Sequence, residues 1–229
     1  MQRTPEPELM DEDEQARAYS EARFEEPHER CADLIAQWWN AHAIAPDARV
    51  LDLGCGPADV LVRVARRLPR ALFVGVDGSE AMLRYGTERV AREQMDGRVT
   101  LVRAFLPHDP IPAGPYAAVI SNSLLHHLHD PQVLWRTITK HAPSARVFVM
   151  DLMRPDSERD VARLVKEHTA GEPDVLRKDF EASLHAAFTI DEVRAQLRAA
   201  GLPLEVEAVS DRHLVARTPA AASAGAQRS

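Results

Sequence analysis

The stretch from Val50 to Asp59, reading VLDLGCGPAD, constrains this chain more than any other segment. An apolar run, Val50-Leu51-Asp52-Leu53, leads straight into a turn punctuated by Gly54 and Gly56. That pattern predicts a short buried strand ending in a tight turn. A second apolar run, Leu72-Phe73-Val74-Gly75-Val76, ends on Asp77. A glycine turn after one strand and a carboxylate at the tip of the next form a nucleoside-binding arrangement. The glycines let the backbone approach the ligand, and the acid accepts hydrogen bonds from both ribose hydroxyls.

The rest of the chain supplies a fold around that pair. Strands are predicted at 49–53, 72–76, 98–103, 116–121 and 145–150, with helices near 57–68, 79–93 and 131–141 between them. Strands alternating with helices argue for a doubly wound parallel α/β sheet. After the fifth strand the pattern changes. Asp156 or Ser157 can cap a helix to about Ala170, a second covers 174–187, and Thr189-Ile190-Asp191-Glu192 is a capping box opening a third. Segments 204–209 and 213–217 then read as two strands joined by a tight turn. Residues 1–14, acidic and aperiodic, are expected to be disordered. Segment 15–44 is expected to form a helical lid, with a helix up to Phe24 and a second starting at Pro27. Cys31, Leu34, Ile35, Trp38 and His42 fall on one face of the second helix. The main domain spans 45–218, with 156–188 as a helical cap insertion and 219–229 as a flexible tail.

Composition narrows the function. The net charge is −7, of which ten acids against four arginines place −6 in the first thirty residues and leave −1 for the remainder. Without a basic stripe to neutralise phosphates, a nucleic-acid substrate is disfavoured. No apolar run reaches the ~20 residues of a membrane span, and no apolar signal core opens the chain, so a cytoplasmic location is the default. Cys31 and Cys55 lie far apart without metal-ligand spacing, so no metal is expected. The oligomeric state is left open.

The order D-x-G-x-G-x-A over Asp52–Ala58 resembles motif I of class I S-adenosylmethionine (SAM) methyltransferases, more closely than the dehydrogenase G-x-G-x-x-G. Leu125-His126-His127-Leu128-His129-Asp130-Pro131 is similar to a stretch common in the small-molecule members, and Phe188-Thr189-x-x-Glu192 and Ala200-Gly201-Leu202 are also typical of them. The resemblance covers roughly 45–215. It implies a mainly parallel seven-stranded sheet of Rossmann-like type, with the last strand antiparallel. It also implies SAM as cofactor and S-adenosylhomocysteine (SAH) as product, with methyl transfer to an O, N or S atom of a small molecule or small peptide.

Carried over position by position, the resemblance assigns cofactor contacts to Asp52, Gly54, Gly56, Asp77, Gly78, Met82, Ala104, Phe105 and Asn122. Two departures stand out. The turn after the third strand carries no acid for the adenine amino group before Asp109, and the motif's third glycine is Ala58. His126 and His127 are catalytic candidates, because a histidine at the carboxyl end of the fourth strand suits removal of a proton from an acceptor. The alternative is that these rings pack at a helix start. Tyr19 is placed in the substrate cover, and Arg154, after the fifth strand, is suited to hold a substrate carboxylate bidentately or to pair with a nearby acid. Two other functions stay open at this point: a non-catalytic SAM-binding or partner-binding protein of the same fold, and a nicotinamide-dependent oxidoreductase, whose glycine spacing fits poorly.

Overall fold

The computed structural model describes residues 1–9, 11, 13–21 and 25–220. Seven strands form one sheet: β1 (Arg49–Leu53), β2 (Leu72–Asp77), β3 (Val99–Arg103), β4 (Ala118–Asn122), β5 (Arg146–Leu152), β6 (Glu205–Ala208) and β7 (His213–Arg217). Their order is β3-β2-β1-β4-β5-β7-β6. The first five run parallel, and β7 inserts antiparallel between β5 and β6. This is the doubly wound, mainly parallel α/β sheet expected of the sequence. The strand order reverses between β1 and β4, which opens a crevice beyond their carboxyl ends.

The helices are α1 (Asp13–Glu21), α2 (Glu25–Ala41), α3 (Asp59–Arg67), α4 (Glu80–Arg92), α5 (Gln132–His141), α6 (Glu158–His168), α7 (Asp174–Ala186) and α8 (Ile190–Ala200). Period-2 alternation in the strands divides the core between two sheet faces. Val50, Phe73 and Phe148 turn towards α2 and α3, joining Ile35, Trp38, Leu61 and Val64. Leu51, Leu53, Val74 and Val119 turn the other way, towards Trp135, Ile138, Val193 and Leu197 of α5 and α8. Caps fix the helix starts. Ser79 accepts from the Met82 amide, Ser157 from Asp160, and Thr189 and Glu192 form the expected reciprocal capping box. Gly201, at φ +67°, ends α8 in the left-handed region.

Two expectations for the N-terminal third change. Segment 15–44 is not a lid throughout. Trp38 and Trp39 are each 3% exposed, and the Trp38 ring lies 5.6 Å from Phe148. The apolar face of α2 is therefore a core layer, and only α1 and the first turn of α2 reach the crevice. Residues 1–9, read as disordered, are docked. Arg3 donates to the carbonyls of Ala186, His126 and Leu128 at 2.6, 2.9 and 3.0 Å, and its guanidinium lies 4.0 Å over the Phe188 ring. The Thr4 amide donates to His185. Polar and cation–π contacts hold most of this strap, and Met1 adds packing against the cluster of Leu152, Val161, Leu164 and Leu184, so few apolar residues suffice for docking. The expectations for Glu12, Phe24 and 221–229 lie outside the described residues.

Candidate active site

The turn after β1 is built by backbone geometry that suits glycine. Gly54 and Gly56 have φ of +73° and +50°, a region that costs side-chain-bearing residues about 1–2 kcal/mol. The Gly54 and Cys55 amides both donate to the Val76 carbonyl, at 2.8 and 3.1 Å, which ties the turn to the end of β2. Parallel register pairs Leu53 with Val76 and so sets Asp77 beside the glycines. Asp77 accepts from the Gly56 amide and from the Ser79 amide, each at 2.8 Å. Its pKa is raised by burial, against the opposing pull of these amides. Asp52 is pushed up to about 8 by burial and then by the charge of Asp77. Ala58, in place of the motif's third glycine, is fully buried at φ +58°. Cys55 packs against Gly75, and burial raises its thiol well above the ordinary range, as befits a spacer.

A cavity opens beside this turn. Its lining includes Asp52, Gly54, Gly56, Asp77, Gly78 and Met82, and beyond them Ala104, Phe105 and Asn122. All nine residues assigned to the cofactor are thus brought together. Nothing lies within 4 Å of where a Cβ on Gly56 would stand, so the turn leaves room for a ligand against its backbone. A Cβ on Gly78 would meet Leu9 and Phe105 at 2.8 and 3.1 Å. These features fit a nucleoside with its ribose at Asp77. The late acid Asp109 does not replace the missing adenine partner. Its carboxylate accepts from the Phe105 amide at 2.9 Å.

A second cavity adjoins the first, and the two share Tyr19, His28, Asn122, Ser123 and His127. Its far wall comes from α6 and α7, including Glu167, His168, Leu176 and Phe180. Tyr19 stands at the junction, and burial pushes its phenol up to about 12. His126 and His127 both line the second cavity. His126 is 2% exposed, and its Nδ1 faces the Asp151 carboxylate at 2.5 Å. Asp151 also accepts from the Leu125 and Leu152 amides, at 2.7 and 2.8 Å. Burial works against charging His126, yet Asp151 leaves its pKa raised. His127 is lowered to about 3 by burial and then by His126.

Arg154 is not part of this site. It lies 6% exposed outside both cavities, donating to the Ala187 carbonyl at 2.9 Å and to Glu192 at 2.6 Å. After β5 the chain pairs Met153 with Phe188 and turns the guanidinium under the start of α8. Three residues of the site were not singled out from the sequence. Asp151 had a usable signal, an acid at the carboxyl end of an apolar strand. His28, bonded to Asp59 at 2.6 Å, had none. Glu6, 3.4 Å from His126 Nε2 and 3.2 Å from His127 Nδ1, was hidden in the acidic run.

Comparison with known proteins agrees with this geometry. A family model described as "Methyltransferase domain" matches residues 50–142. A trans-aconitate 2-methyltransferase of Methylobacterium nodulans is 31% identical over 195 residues, covering 81% of this chain and 67% of that protein. The chain belongs to the class I SAM-dependent methyltransferases. Another relative, a trans-aconitate 2-methyltransferase of Variovorax paradoxus, is 34% identical over 128 residues, 55% of this chain and 46% of that protein. This methyltransferase chain spans about half the length of several curated relatives it matches. Among solved structures, the plantazolicin methyltransferase BpumL, in complex with a triazolic desmethylPZN analog and SAH, superposes with a TM-score of 0.67. It is 13% identical and covers 89% of each chain, a likeness of fold. Membership of the family removes the nicotinamide alternative. Among the described residues no helix is long and apolar enough to cross a membrane.

Proposed function

We propose that the chain transfers a methyl group from SAM to an O, N or S atom of a small neutral or cationic molecule or small peptide. The observation that carries this is the pair of adjoining cavities, one built on the glycine turn and Asp77, the other bordered by His126 and His127. In this reading the Gly54 and Gly56 backbones face the methionine part, Asp77 takes the ribose, and Phe105 and Met82 pack the adenine side. Bound SAM supplies a methyl carbon already activated by a sulfonium. The protein then has to align the acceptor, exclude water and handle the acceptor's proton. Tyr19 and Asn122, at the junction, position the acceptor. Asp151 orients His126, and the histidine pair meets the acceptor's donor atom.

The acceptor's charge class follows from the wall of the second cavity. Among the described residues Glu26, Glu167 and Glu172 line it with Arg212 and the histidines His28, His126, His127, His168 and His213, and Glu167 pairs with Arg163 outside the wall. Arg212 already pairs with Glu26 at 3.3 Å and Asp211 at 3.2 Å. Among the described residues, with Arg154 elsewhere, no lysine and no arginine besides Arg212 lines this cavity to hold a polycarboxylate such as the one the trans-aconitate relatives are named for. The same acidity, with the net charge of −7, speaks against nucleic acid. The test is SAH formation with a panel of small amines, neutral hydroxy compounds and tricarboxylates. Turnover with members of the first two groups is expected. Turnover confined to tricarboxylates would overturn the charge argument, and SAH binding without turnover on any acceptor would favour the non-catalytic alternative.

A further inference from the structure

Three side chains, one from the N-terminal strap and two from the middle of the sequence, converge beside the junction of the two cavities. Glu6 Oε1 lies 3.4 Å from His126 Nε2 and 3.2 Å from His127 Nδ1. The three ligand-type atoms all fall within 4.8 Å of one another. None of these approaches satisfies hydrogen-bond geometry, and His127 Nδ1 is buried without a hydrogen-bond partner. A buried polar atom left this way is costly, about 1–3 kcal/mol. The tautomer of His126 sharpens the point. Its Nδ1 is committed to Asp151 at 2.5 Å, so the neutral ring turns the bare lone pair of Nε2 towards a carboxylate oxygen. One cation between these atoms would satisfy all three at once, His127 Nδ1 included. A proton can serve only one or two of them.

We propose that Glu6, His126 and His127 form a binding site for a divalent transition-metal ion of the zinc type. Two imidazoles and one carboxylate are a ligand set such an ion takes with a position left open. Donors at about 2.0–2.2 Å from one ion in tetrahedral array stand roughly 3.3–3.6 Å from each other; of the two Glu6 distances, 3.4 Å lies in that range and 3.2 Å just below it. Asp151 supplies the outer support, since a ligating histidine commonly donates its other N–H to a carboxylate. His126 and His127 both border the second cavity, which sets the site at the edge of the space assigned to the acceptor. An ion held there by Glu6, His126 and His127 would polarise an oxygen or nitrogen donor of the acceptor and lower its pKa, a role that rests on the methyl-transfer reading above. The ion also ties the N-terminal strap, through Glu6, to the turn after β4. The sequence expectation of no metal came from cysteine spacing, which is blind to ligands 120 residues apart in the chain.

The test is calorimetric titration of the chelator-stripped full chain with Zn²⁺, and with Co²⁺ followed by its visible absorption. One equivalent should bind, with the absorption of a four- or five-coordinate Co²⁺ site. Glu6→Gln and His127→Ala should each weaken binding at least about tenfold, and Asp151→Asn roughly 10–100-fold. His168→Ala, in the exposed cluster Glu167, His168 and Asp211, should leave it unchanged. Absence of stoichiometric binding to the wild type would overturn the proposal. So would binding that survives Glu6→Gln and His127→Ala but is lost in His168→Ala. SAH affinity measured on the same samples separates the two readings. SAH binding without an ion sinks the metal site alone, and an ion without SAH binding sinks the cofactor assignment alone.

Discussion

Arg154 holds the first turn of α8 against the end of β5 through the Ala187 carbonyl and the Glu192 carboxylate, 2.9 and 2.6 Å away. Glu192 is also the reciprocal member of the α8 capping box, donated to by the Thr189 amide at 2.8 Å. Arg154→Ala therefore removes a charge-assisted bond and loosens that helix start. A stability loss of about 1.5–3 kcal/mol is expected, read by urea unfolding, with SAH affinity unchanged. A variant of wild-type stability that has lost activity would instead return Arg154 to the substrate site. The contrast with Asp77 shows what a sequence carries at this scale. Asp77 and the glycines act within a few residues of a strand end, so local pattern places them. The direction of Arg154 depends on where Phe188 and α8 pack, and nothing near residue 154 encodes that.

At the scale of elements, the N-terminal strap differs most from what its composition suggests. Arg3 makes three hydrogen bonds to carbonyls, the Ser183 hydroxyl donates to Glu6 at 3.1 Å, and the His129 amide donates to Glu8 at 2.8 Å. Each such bond contributes a net ~0.5–1.5 kcal/mol, less the entropy of ordering the strap. Removal of residues 1–9 is expected to lower the melting temperature by several degrees, at about 2–4 °C per kcal/mol for a chain of this size. An unchanged melting temperature would mean that the strap is energetically idle. The helices were more legible. The capping box of α8 and the helical spacing of Cys31, Ile35 and Trp38 were both visible. The latter face packs on the sheet, because two tryptophans supply more apolar area than a mobile cover can leave in water.

For the whole molecule, alternation of strands and helices was enough to read the five parallel strands, and the terminal hairpin followed from its turn. What alternation does not encode is the charge network between layers, and that network sets the response to pH. His213, 7% exposed on β7, has its pKa lowered from 6.5 to about 3, by burial first and then by Arg212. Asp211 opposes the shift, while His28 and His168 add to it. Between pH 6.5 and about 3 the unfolded chain takes up a proton at this site that the folded chain refuses. Stability therefore rises with pH through that window and falls as pH drops. Asp59 acts in the same sense. Despite its burial, His28 and Arg63 hold it below the ordinary range, so its stabilisation is present above the unfolded pKa and lost on acidification. Urea unfolding at pH 7.5 and 4.5 should show the acid loss, and His213→Gln should reduce it by at most about 1.4 kcal/mol per pH unit. An equal loss in both proteins would show that His213 is not the source.

The central claim is that the cleft between the glycine turn and Asp77 binds SAM, and SAH calorimetry on the wild type and on Asp77→Ala tests it most directly. The wild type should bind one SAH per chain. The variant, checked for folding by its melting temperature, should bind at least about tenfold more weakly, because each lost ribose hydrogen bond to the carboxylate is worth about 1.5–3 kcal/mol. Failure of the wild type to bind, or equal affinity in a folded Asp77→Ala protein, would contradict the account.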